Sequence, residues 1–268
     1  MTPPSANSRK KKRSRRPRAE REISVDPRLR VEFSRRLRAW FRANARDLPW
    51  RRTRDAYRVL VSELMLQQTQ VSRVESYYGE FLARFPTLAD VARARPARVM
   101  EAWDGLGYYA RARNLHRLAR QVTDGGRSPA RTLPDHPDEL RALPGIGAYT
   151  AGAVASFAYE RRAALVDTNV ARVLERVFDP QLDPKSTRGQ RRLWQLAESL
   201  LPRTGRATWT HNQALMELGA LVCTARIAHC DRCPVRSVCR SAAKPARGRT
   251  VRSKHRLEPA QREHRTHG

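Results

Sequence analysis

Long apolar runs are missing from this sequence of 268 residues, and their absence excludes one class of protein. No stretch of 18 or more consecutive apolar residues occurs, so no segment is long enough to form a membrane-spanning helix. The charged N-terminal segment is not followed by an apolar core, which excludes a secretory signal of the usual kind. We therefore expect a cytoplasmic protein in a reducing compartment, where disulfides are rare.

Cysteine is scarce and confined to one short stretch. The cysteines are Cys223, Cys230, Cys233 and Cys239, with the spacing C-x6-C-x2-C-x5-C. In a reducing compartment such a cluster favours metal binding over disulfides. Thiolates bind either zinc or an iron–sulfur cluster, and the spacing alone does not separate the two securely. A four-cysteine zinc site usually has two C-x2-C pairs, whereas this sequence has one.

Acidic residues are few relative to basic ones. The 54 Lys and Arg against 26 Asp and Glu give a net charge of +28, which would attract a polyanion such as nucleic acid. Residues 1–22 carry nine basic and two acidic residues, and residues 241–268 carry eight and two. We expect both segments to be unfolded basic tails that either tether the protein to DNA phosphates or keep it soluble. The body between them keeps a charge of about +15.

Sustained alternation of apolar and polar residues is also missing, and so is any repeat of fixed period. Apolar residues instead recur with the helical period, as at positions 33, 37, 40 and 41. Glycine and proline separate such segments. The pattern predicts an all-α body with helices over residues 31–41, 56–84, 88–103, 108–122, 139–143, 148–159, 170–178, 190–201 and 210–221, and a loop over 125–137.

A glycine-containing turn is the most distinctive local feature. Residues 143–151 read LPGIGAYTA, in which Gly145 and Gly147 let the backbone turn tightly just before a helix. A helix N-terminus exposed in this way binds phosphate through its free N–H groups and its dipole. Asp167, about twenty residues later, follows an apolar run and is predicted to cap the next helix. The alternative is that the glycines only turn the chain and Asp167 only caps.

Glu63 is an unusual residue in an otherwise apolar helix. A carboxyl group buried there has a raised pKa and can act as a general acid at neutral pH. The alternative is that Glu63 lies on the solvated face or pairs with an arginine. The amides of Gln67 and Gln68 follow it, and amides can both donate and accept hydrogen bonds at base edges.

Together these motifs resemble the helix-hairpin-helix DNA glycosylases, and among them most closely the adenine glycosylases of the MutY type. The resemblance covers residues 48 to 239, most of the body. It is carried by LPW at 48–50, SELMLQQTQV at 62–71, GLGYYARARNL at 105–115, LPGIGAYTAGA at 143–153, VDTNVARVL at 166–174, NQALMELGALVC at 212–223 and the cysteines. Several of these motifs are weak singly, but together and in this order they are specific.

The resemblance implies a two-lobed, all-α fold with an iron–sulfur cluster loop. One lobe would span residues 51–159 and contain the helix-hairpin-helix motif. The other would combine residues 23–50 with 160–240 around the cysteines, leaving the two basic tails outside. A monomer bound to double-stranded DNA near the nucleoid is the expected form.

The resemblance also implies roles for the catalytic residues. Such enzymes flip adenine out of the duplex to reach its glycosidic bond. Glu63 matches the glutamate that protonates the purine, and Asp167 matches the aspartate that supports the positively charged sugar. Tyr149 stands where bifunctional relatives have a nucleophilic lysine, so base release without strand cleavage is expected. Asn169 matches another residue near the active site.

Further matches imply substrate contacts. Trp50, Arg51, Leu66 and Glu217 match residues that line the adenine pocket. The alternative for Trp50 and Leu66 is an ordinary core position, which is the more usual one for such residues. Gln67 and Tyr108 match residues that enter the base stack beside the lesion. Arg111 and Arg113 next to Tyr108 favour a surface that faces DNA.

The resemblance implies a 4Fe–4S cluster on Cys223, Cys230, Cys233 and Cys239. The cluster would fix a loop whose arginines reach phosphate, namely Arg226, Arg232, Arg236 and Arg240. Full-length family members add a domain resembling the Nudix fold that helps to recognise 8-oxoguanine, whereas only a short basic segment follows Cys239 here. The expected substrate is therefore adenine opposite 8-oxoguanine or guanine. The alternatives are a mismatch-specific thymine glycosylase and a non-catalytic DNA-binding module.

Overall fold

The computed structural model describes residues 25–124 and 132–242, and the prediction of an all-α body is confirmed for this part of the chain. These ranges contain eleven α-helices and two short 3-10 helices. Their one extended pairing is an isolated bridge between Cys223 and Ala228. The basic segments up to residue 24 and from residue 243, and residues 125–131 of the predicted loop, lie outside the described residues.

The helices follow one another through short connections. Several begin at a side chain that accepts a hydrogen bond from an N–H group of the first turn, as at Asp55, Asp167 and Ser186. The bounds are α1 Pro27–Asn44, α2 Ala56–Leu66, α3 Val71–Arg84, α4 Leu88–Arg93, α5 Pro96–Glu101, α6 Ala110–Val122, α7 Pro137–Arg141, α8 Ala148–Phe157, α9 Thr168–Phe178, α10 Thr187–Leu200 and α11 Gly205–Leu221.

One group of helices consists of α1, α9, α10 and α11, in which α11 packs against both α1 and α9. Helix α1 buries Phe33, Leu37 and Phe41 along one face, as its sequence period requires. The Phe33 ring meets the edge of Phe178 of α9, with 4.9 Å between the ring centroids. Chain segments far apart in sequence therefore form one apolar core.

The second group contains α2 to α8, with α2 in contact with α3, α6 and α8. Every residue of α2 from Val59 to Met65 is buried, including Glu63. Helix α8 is also buried along most of its length, and it contacts α11 of the first group. The grouping resembles the predicted lobes, but the domain boundaries themselves stay a prediction.

Two predicted helices are each divided in the structure. The helix predicted over 56–84 breaks between Leu66 and Val71, because Gln68 adopts a left-handed backbone with φ of 57°. The helix predicted over 88–103 breaks before Pro96, which begins α5 because proline lacks the N–H that a continuous helix needs. The first break places Gln67 and Gln68 in a turn instead of a helix, with Gln67 half-buried and Gln68 exposed.

In the part of the chain that the structure describes, no helix is both long enough and apolar enough to cross a membrane.

Candidate active site

Glu63 lies in the core of the molecule, near the end of α2. Its side chain is 3% exposed, and its Oε2 accepts a 2.8 Å hydrogen bond from the Tyr149 hydroxyl. Burial raises the pKa of Glu63 to about 7, the Tyr149 hydrogen bond opposes the rise, and the charge of Asp167 adds to it. A carboxyl with this pKa can hold a proton at neutral pH and give it up, which is what a general acid requires.

Asp167 caps the N-terminus of α9, as predicted. Its Oδ1 accepts a 2.6 Å hydrogen bond from the Val170 amide, and its Oδ2 accepts one of 3.1 Å from the Asn169 side chain. Burial raises the pKa of Asp167, while these two hydrogen bonds favour the ionised form. Asp167 is therefore a buried carboxyl group that two hydrogen bonds hold in a fixed orientation.

Tyr149 contacts one of the two carboxyl groups, that of Glu63, and is affected by the charge of the other, that of Asp167. It is the second residue of α8, and its hydroxyl donates to Glu63 while its own pKa is raised by burial and by the charges of Glu63 and Asp167. The two acids from distant parts of the chain thus influence the same hydroxyl group. A tyrosine at this position supplies no amine that could attack a sugar carbon.

A polar chain connects Asp167 to the cysteine loop. Arg172 donates to the Asn169 Oδ1 at 2.7 Å, and Asn169 in turn donates to Asp167. The same guanidinium donates to the backbone carbonyls of Cys223 and Gly219, each at 2.8 Å. The sequence analysis missed Arg172. The available signal was its position three residues after Asn169, on the same helix face.

Glu217 forms a buried ion pair with two arginines. Its Oε2 lies 2.7 Å from Arg46 Nη2 and 2.8 Å from Arg51 Nη2. Burial alone would raise the pKa of Glu217, but the hydrogen bonds from Arg46 and Arg51 outweigh it and hold the pKa at about 2. Arg51 also lowers the pKa of Glu63 through its charge. Arg46 was not anticipated, because its partner lies 171 residues away in the sequence.

The two predicted apolar pocket residues lie in or against the core. Trp50 is buried and meets the edge of Tyr78, with 5.6 Å between ring centroids. Leu66 is half-buried at the end of α2 and packs against the core. Their contacts are those of core residues, and their contribution to a base pocket stays a prediction.

The glycine turn connects α7 to α8, and its two glycines differ in what they require. Gly145 has φ of +77°, and a Cβ added there would lie 2.4 Å from the Asn114 Nδ2. Gly147 caps α8 with an ordinary φ of −87°, and a Cβ there would meet nothing within 4 Å. The fold itself therefore requires glycine at position 145, because a side chain there would collide with Asn114. The space next to Gly147 is open, so a ligand can approach the helix N-terminus there.

The three side chains predicted to contact bases lie on two turns. Gln68 and Tyr108 are exposed, Tyr108 by 60%, and both have a left-handed backbone. Gln67 is half-buried and donates to the Thr150 hydroxyl at 3.3 Å. The expectation for Arg111 was wrong, because its side chain points into the protein and is 6% exposed. Arg113 is exposed as expected.

The four cysteines line one cavity of about 740 Å³ beside α9, together with Arg226 and Arg236. Cys223 accepts a hydrogen bond from Arg176, whose Nη1 lies 3.4 Å from the sulfur. Burial raises the pKa of the Cys233 thiol to about 11. Among the described residues, no three His, Cys, Asp or Glu side chains converge closely enough to hold a single metal ion.

Solved structures define the class of fold. A thermostable thymine-DNA glycosylase superimposes with a TM-score of 0.72 at 29% identity, covering 80% of this chain and 97% of that one. A trapped endonuclease III–DNA covalent intermediate gives a TM-score of 0.65 at 21% identity, with coverage of 81% and 98%. The second likeness concerns the fold alone. Both place the chain among helical folds of the endonuclease III kind.

The sequence then identifies the family. Residues 61–199 match the model of the HhH-GPD superfamily base excision DNA repair protein, and the chain belongs to this family. It is 47% identical over 214 residues to an adenine DNA glycosylase of Mycolicibacterium smegmatis, covering 78% of this chain and 70% of that one. It is 46% identical over 217 residues to the human adenine DNA glycosylase, covering 76% and 38%. The chain thus spans less than half the length of the human relative.

Proposed function

We propose that this protein is a monofunctional DNA glycosylase that releases adenine mispaired with 8-oxoguanine or guanine. The observation that carries the proposal is the buried Glu63, whose pKa of about 7 suits a general acid, next to a second carboxyl at Asp167. The names of the adenine glycosylase relatives support the choice of base. A non-catalytic binding module would have no use for two carboxyl groups buried together.

In the proposed reaction, the adenine nucleotide leaves the base stack and enters the site between the two acids. Glu63 gives its proton to the purine, which then departs as a neutral base when the bond from sugar carbon C1′ to nitrogen breaks. The electron pair of that bond leaves with the base, and the sugar becomes positively charged. Asp167 stabilises this charge as a carboxylate, until the oxygen of a water molecule bonds to C1′. The proton of this water passes to the Glu63 carboxylate, which restores the acid. The products are free adenine and an abasic site.

Tyr149 supports the monofunctional assignment. Cleavage of the strand through a Schiff base needs an amine on the sugar carbon, and this side chain offers a hydroxyl with a raised pKa. Its hydroxyl instead holds the Glu63 carboxyl in position. We expect Asn169 to do the same for Asp167.

Recognition of DNA is assigned to three features of the molecule. The N-terminus of α8 at Gly145 and Gly147 would bind a backbone phosphate. Gln67, Gln68 and Tyr108 would enter the stack beside the target base. The net charge of +28 would strengthen binding at low salt. The protein would act as a monomer in the cytoplasm.

The donor set of the cysteine cavity is compatible with a 4Fe–4S cluster. The four cysteines contain a single C-x2-C pair, whereas a four-cysteine zinc site usually has two. Four thiols around one larger cavity suit a group with several irons. When bound, the cluster would supply a rigid connection between Cys223, Cys230, Cys233 and Cys239. The arginines of the loop would then face the DNA phosphates.

A second candidate is release of thymine from a mismatch with guanine. It is favoured by the likeness to the thymine-DNA glycosylase structure at 29% identity. The higher identity to the adenine enzymes, 44–47% for the rat, human and Mycolicibacterium smegmatis proteins, favours adenine.

The test is base release from three duplexes that contain A opposite 8-oxoguanine, A opposite guanine or T opposite guanine. Each product is divided into one part treated with hot alkali and one part left untreated and unheated, because an intact abasic site breaks in hot alkali whereas lyase cleavage gives a break without it. We expect alkali-dependent breaks in the two adenine duplexes. Breaks confined to the thymine duplex would support the second candidate, and breaks without alkali would overturn the monofunctional assignment.

A further inference from the structure

Arg111, the second residue of α6, is a buried arginine whose hydrogen bonds all end on neutral oxygens. Its Nη1 donates to the carbonyls of Leu64, Met65 and Gln67 at 2.9, 2.8 and 2.5 Å and to the Thr69 hydroxyl at 3.2 Å. Its Nη2 donates to the carbonyls of Leu106 and Gly107 at 2.9 and 2.8 Å, and its Nε to that of Tyr108 at 3.3 Å.

These oxygens belong to two separate turns. One group lies at the C-terminal end of α2 and in the turn of residues 67–70 that follows it. The other lies in the turn of residues 105–109 that precedes α6. Arg111 therefore joins two segments about forty residues apart in the chain.

Each turn contains a residue in a conformation that side chains disfavour. Gln68 has φ of 57° and Tyr108 has φ of 46°, although neither is glycine. Such backbones persist only where the surroundings fix them, and they gather at functional sites. Arg111 bonds the carbonyl immediately before Gln68 and both carbonyls at Gly107 and Tyr108.

Burying a guanidinium without a carboxylate is unfavourable, and the burial lowers the pKa of Arg111. Partial compensation comes from two rings, since the guanidinium carbon lies 5.6 Å from the Trp103 centroid and 5.5 Å from that of Tyr108. An apolar side chain would fill this space with less desolvation but could not fix the carbonyls of two turns at once. The planar fork of donors is specific to arginine.

We propose that Arg111 is a positioning residue that locks the 67–70 and 105–109 turns so that Gln67, Gln68 and Tyr108 reach the base stack together. The proposal rests on the proposed function, because these three side chains are assigned there to base extrusion. Arg111 itself stays inside the protein and contacts no nucleotide.

The test compares Arg111→Lys with the wild type in the full chain. Lysine keeps the charge but has three N–H donors on one atom and cannot span both turns. Arg120→Lys, at an exposed position on the same helix, is the matched control. Arg111→Met removes the charge altogether.

Three readouts separate positioning from general stability. Amide hydrogen exchange should rise in residues 67–70 and 105–109 of Arg111→Lys and stay at wild-type rates in α9 and α11. Fluorescence of 2-aminopurine at the target position should increase less on binding than with wild type, because extrusion is impaired. Single-turnover release of adenine should fall by about 10- to 100-fold, the scale of a misplaced contact. Arg120→Lys should match the wild type in all three.

Two outcomes would overturn the proposal. One is wild-type exchange, extrusion and release in Arg111→Lys. The other is hydrogen exchange that rises equally throughout the described helices of Arg111→Lys, which would mean that Arg111 has a structural role only. The same exchange comparison is made with Arg111→Met, at a lower temperature at which this variant stays folded. If the wild type releases no base at all, the proposed function fails, while exchange and 2-aminopurine fluorescence still test Arg111.

Discussion

The protonation state of Glu63 depends on two opposing effects within α2 and α8. Burial among apolar residues disfavours the carboxylate and raises the pKa to about 7, while the Tyr149 hydroxyl stabilises the carboxylate and lowers it. Asp167 adds a negative charge nearby. The acid form of Glu63 is needed for proton donation, so base release should decline as the pH rises above about 7.

Replacing Tyr149 by phenylalanine should move this decline to higher pH. The variant loses the hydrogen bond that favours the carboxylate, so the pKa of Glu63 should rise further. Single-turnover release measured from about pH 5 to pH 10 gives the midpoint of the decline. Tyr159→Phe is the control, since the Tyr159 hydroxyl bonds the Leu133 carbonyl instead of Glu63. A midpoint that stays in place, or moves down, in Tyr149→Phe would contradict this account of Glu63.

Glu63→Gln should raise the free energy of unfolding relative to the wild type, by an amount that depends on pH. The pKa of Glu63 is about 7 in the folded protein against 4.5 as the ordinary value, so the folded state binds more protons between these pH values. The free energy of unfolding of the wild type therefore falls as the pH rises from 4.5 to 7, because the folded protein then loses the proton that Glu63 holds. The glutamine variant lacks this loss, so its advantage over wild type should grow by up to about 3 kcal/mol between pH 4.5 and pH 8.

Urea unfolding at both pH values measures this difference. Glu80→Gln, at an exposed position on α3, is the control and should show no such trend. An advantage of Glu63→Gln that is the same at both pH values would mean that the carboxyl is not held protonated by burial.

At the scale of elements, the two glycines in the turn between α7 and α8 have different roles, one in stability and one in DNA binding. Gly145→Ala should destabilise the protein by about 1–3 kcal/mol, because φ of +77° and the Asn114 side chain both exclude a methyl group. Gly147→Ala should leave the melting temperature almost unchanged and weaken DNA binding, because its methyl group would occupy the open space at the helix N-terminus. Thermal unfolding and fluorescence anisotropy with labelled duplex measure the two effects. If Gly147→Ala binds DNA with wild-type affinity, this turn is not part of the surface that contacts DNA.

Much of the helical fold could be predicted from the spacing of apolar residues and from the positions of the prolines. The apolar stripe of α1 and the cap at Asp167 are properties of a few neighbouring residues, so they could be predicted. The break at Gln68 could not, because a left-handed glutamine is held by contacts with Arg111 from a distant helix. The break at Pro96 could have been predicted from the residue itself.

Some residues of the candidate site could likewise be predicted from the sequence, and others could not. Glu63, Tyr149 and Asp167 stand in motifs with a recognisable order. In the structure Tyr149 is hydrogen-bonded to Glu63, and the charge of Asp167 affects both. The arginines that hold the surrounding groups, Arg46, Arg111 and Arg172, act on partners between 3 and 171 residues away. Nothing in the local sequence distinguishes Arg46 and Arg111 from the many arginines on the surface, so their roles needed the tertiary structure. Only Arg172 had a local signal, its position three residues after Asn169.

At the scale of the whole molecule, the cysteine loop is bound to α9, whose N-terminus carries Asp167. Arg176 donates to the Cys223 sulfur and to the Thr224 carbonyl, and Arg172 donates to the Cys223 carbonyl. A group bound by the cysteines would therefore fix the loop against the helix that positions the second acid.

Cys233→Ser should lower the iron content of the purified protein. A 4Fe–4S cluster predicts about four irons per chain in the wild type, and loss of one thiolate ligand should reduce this number and the visible absorption of the cluster. Ser237→Ala, a change at an exposed position in the same loop, is the control and should keep the iron. One zinc per chain and no iron in the wild type would contradict the cluster assignment.

The central claim, that Glu63 delivers the proton that releases adenine, is tested most directly by Glu63→Gln with a duplex containing A opposite 8-oxoguanine. Single-turnover release and binding affinity are measured on the same preparation. The account predicts that release falls by a factor of at least about 100, the contribution of a positioned proton donor, while affinity stays close to wild type. Release within a few-fold of wild type at unchanged affinity would contradict it.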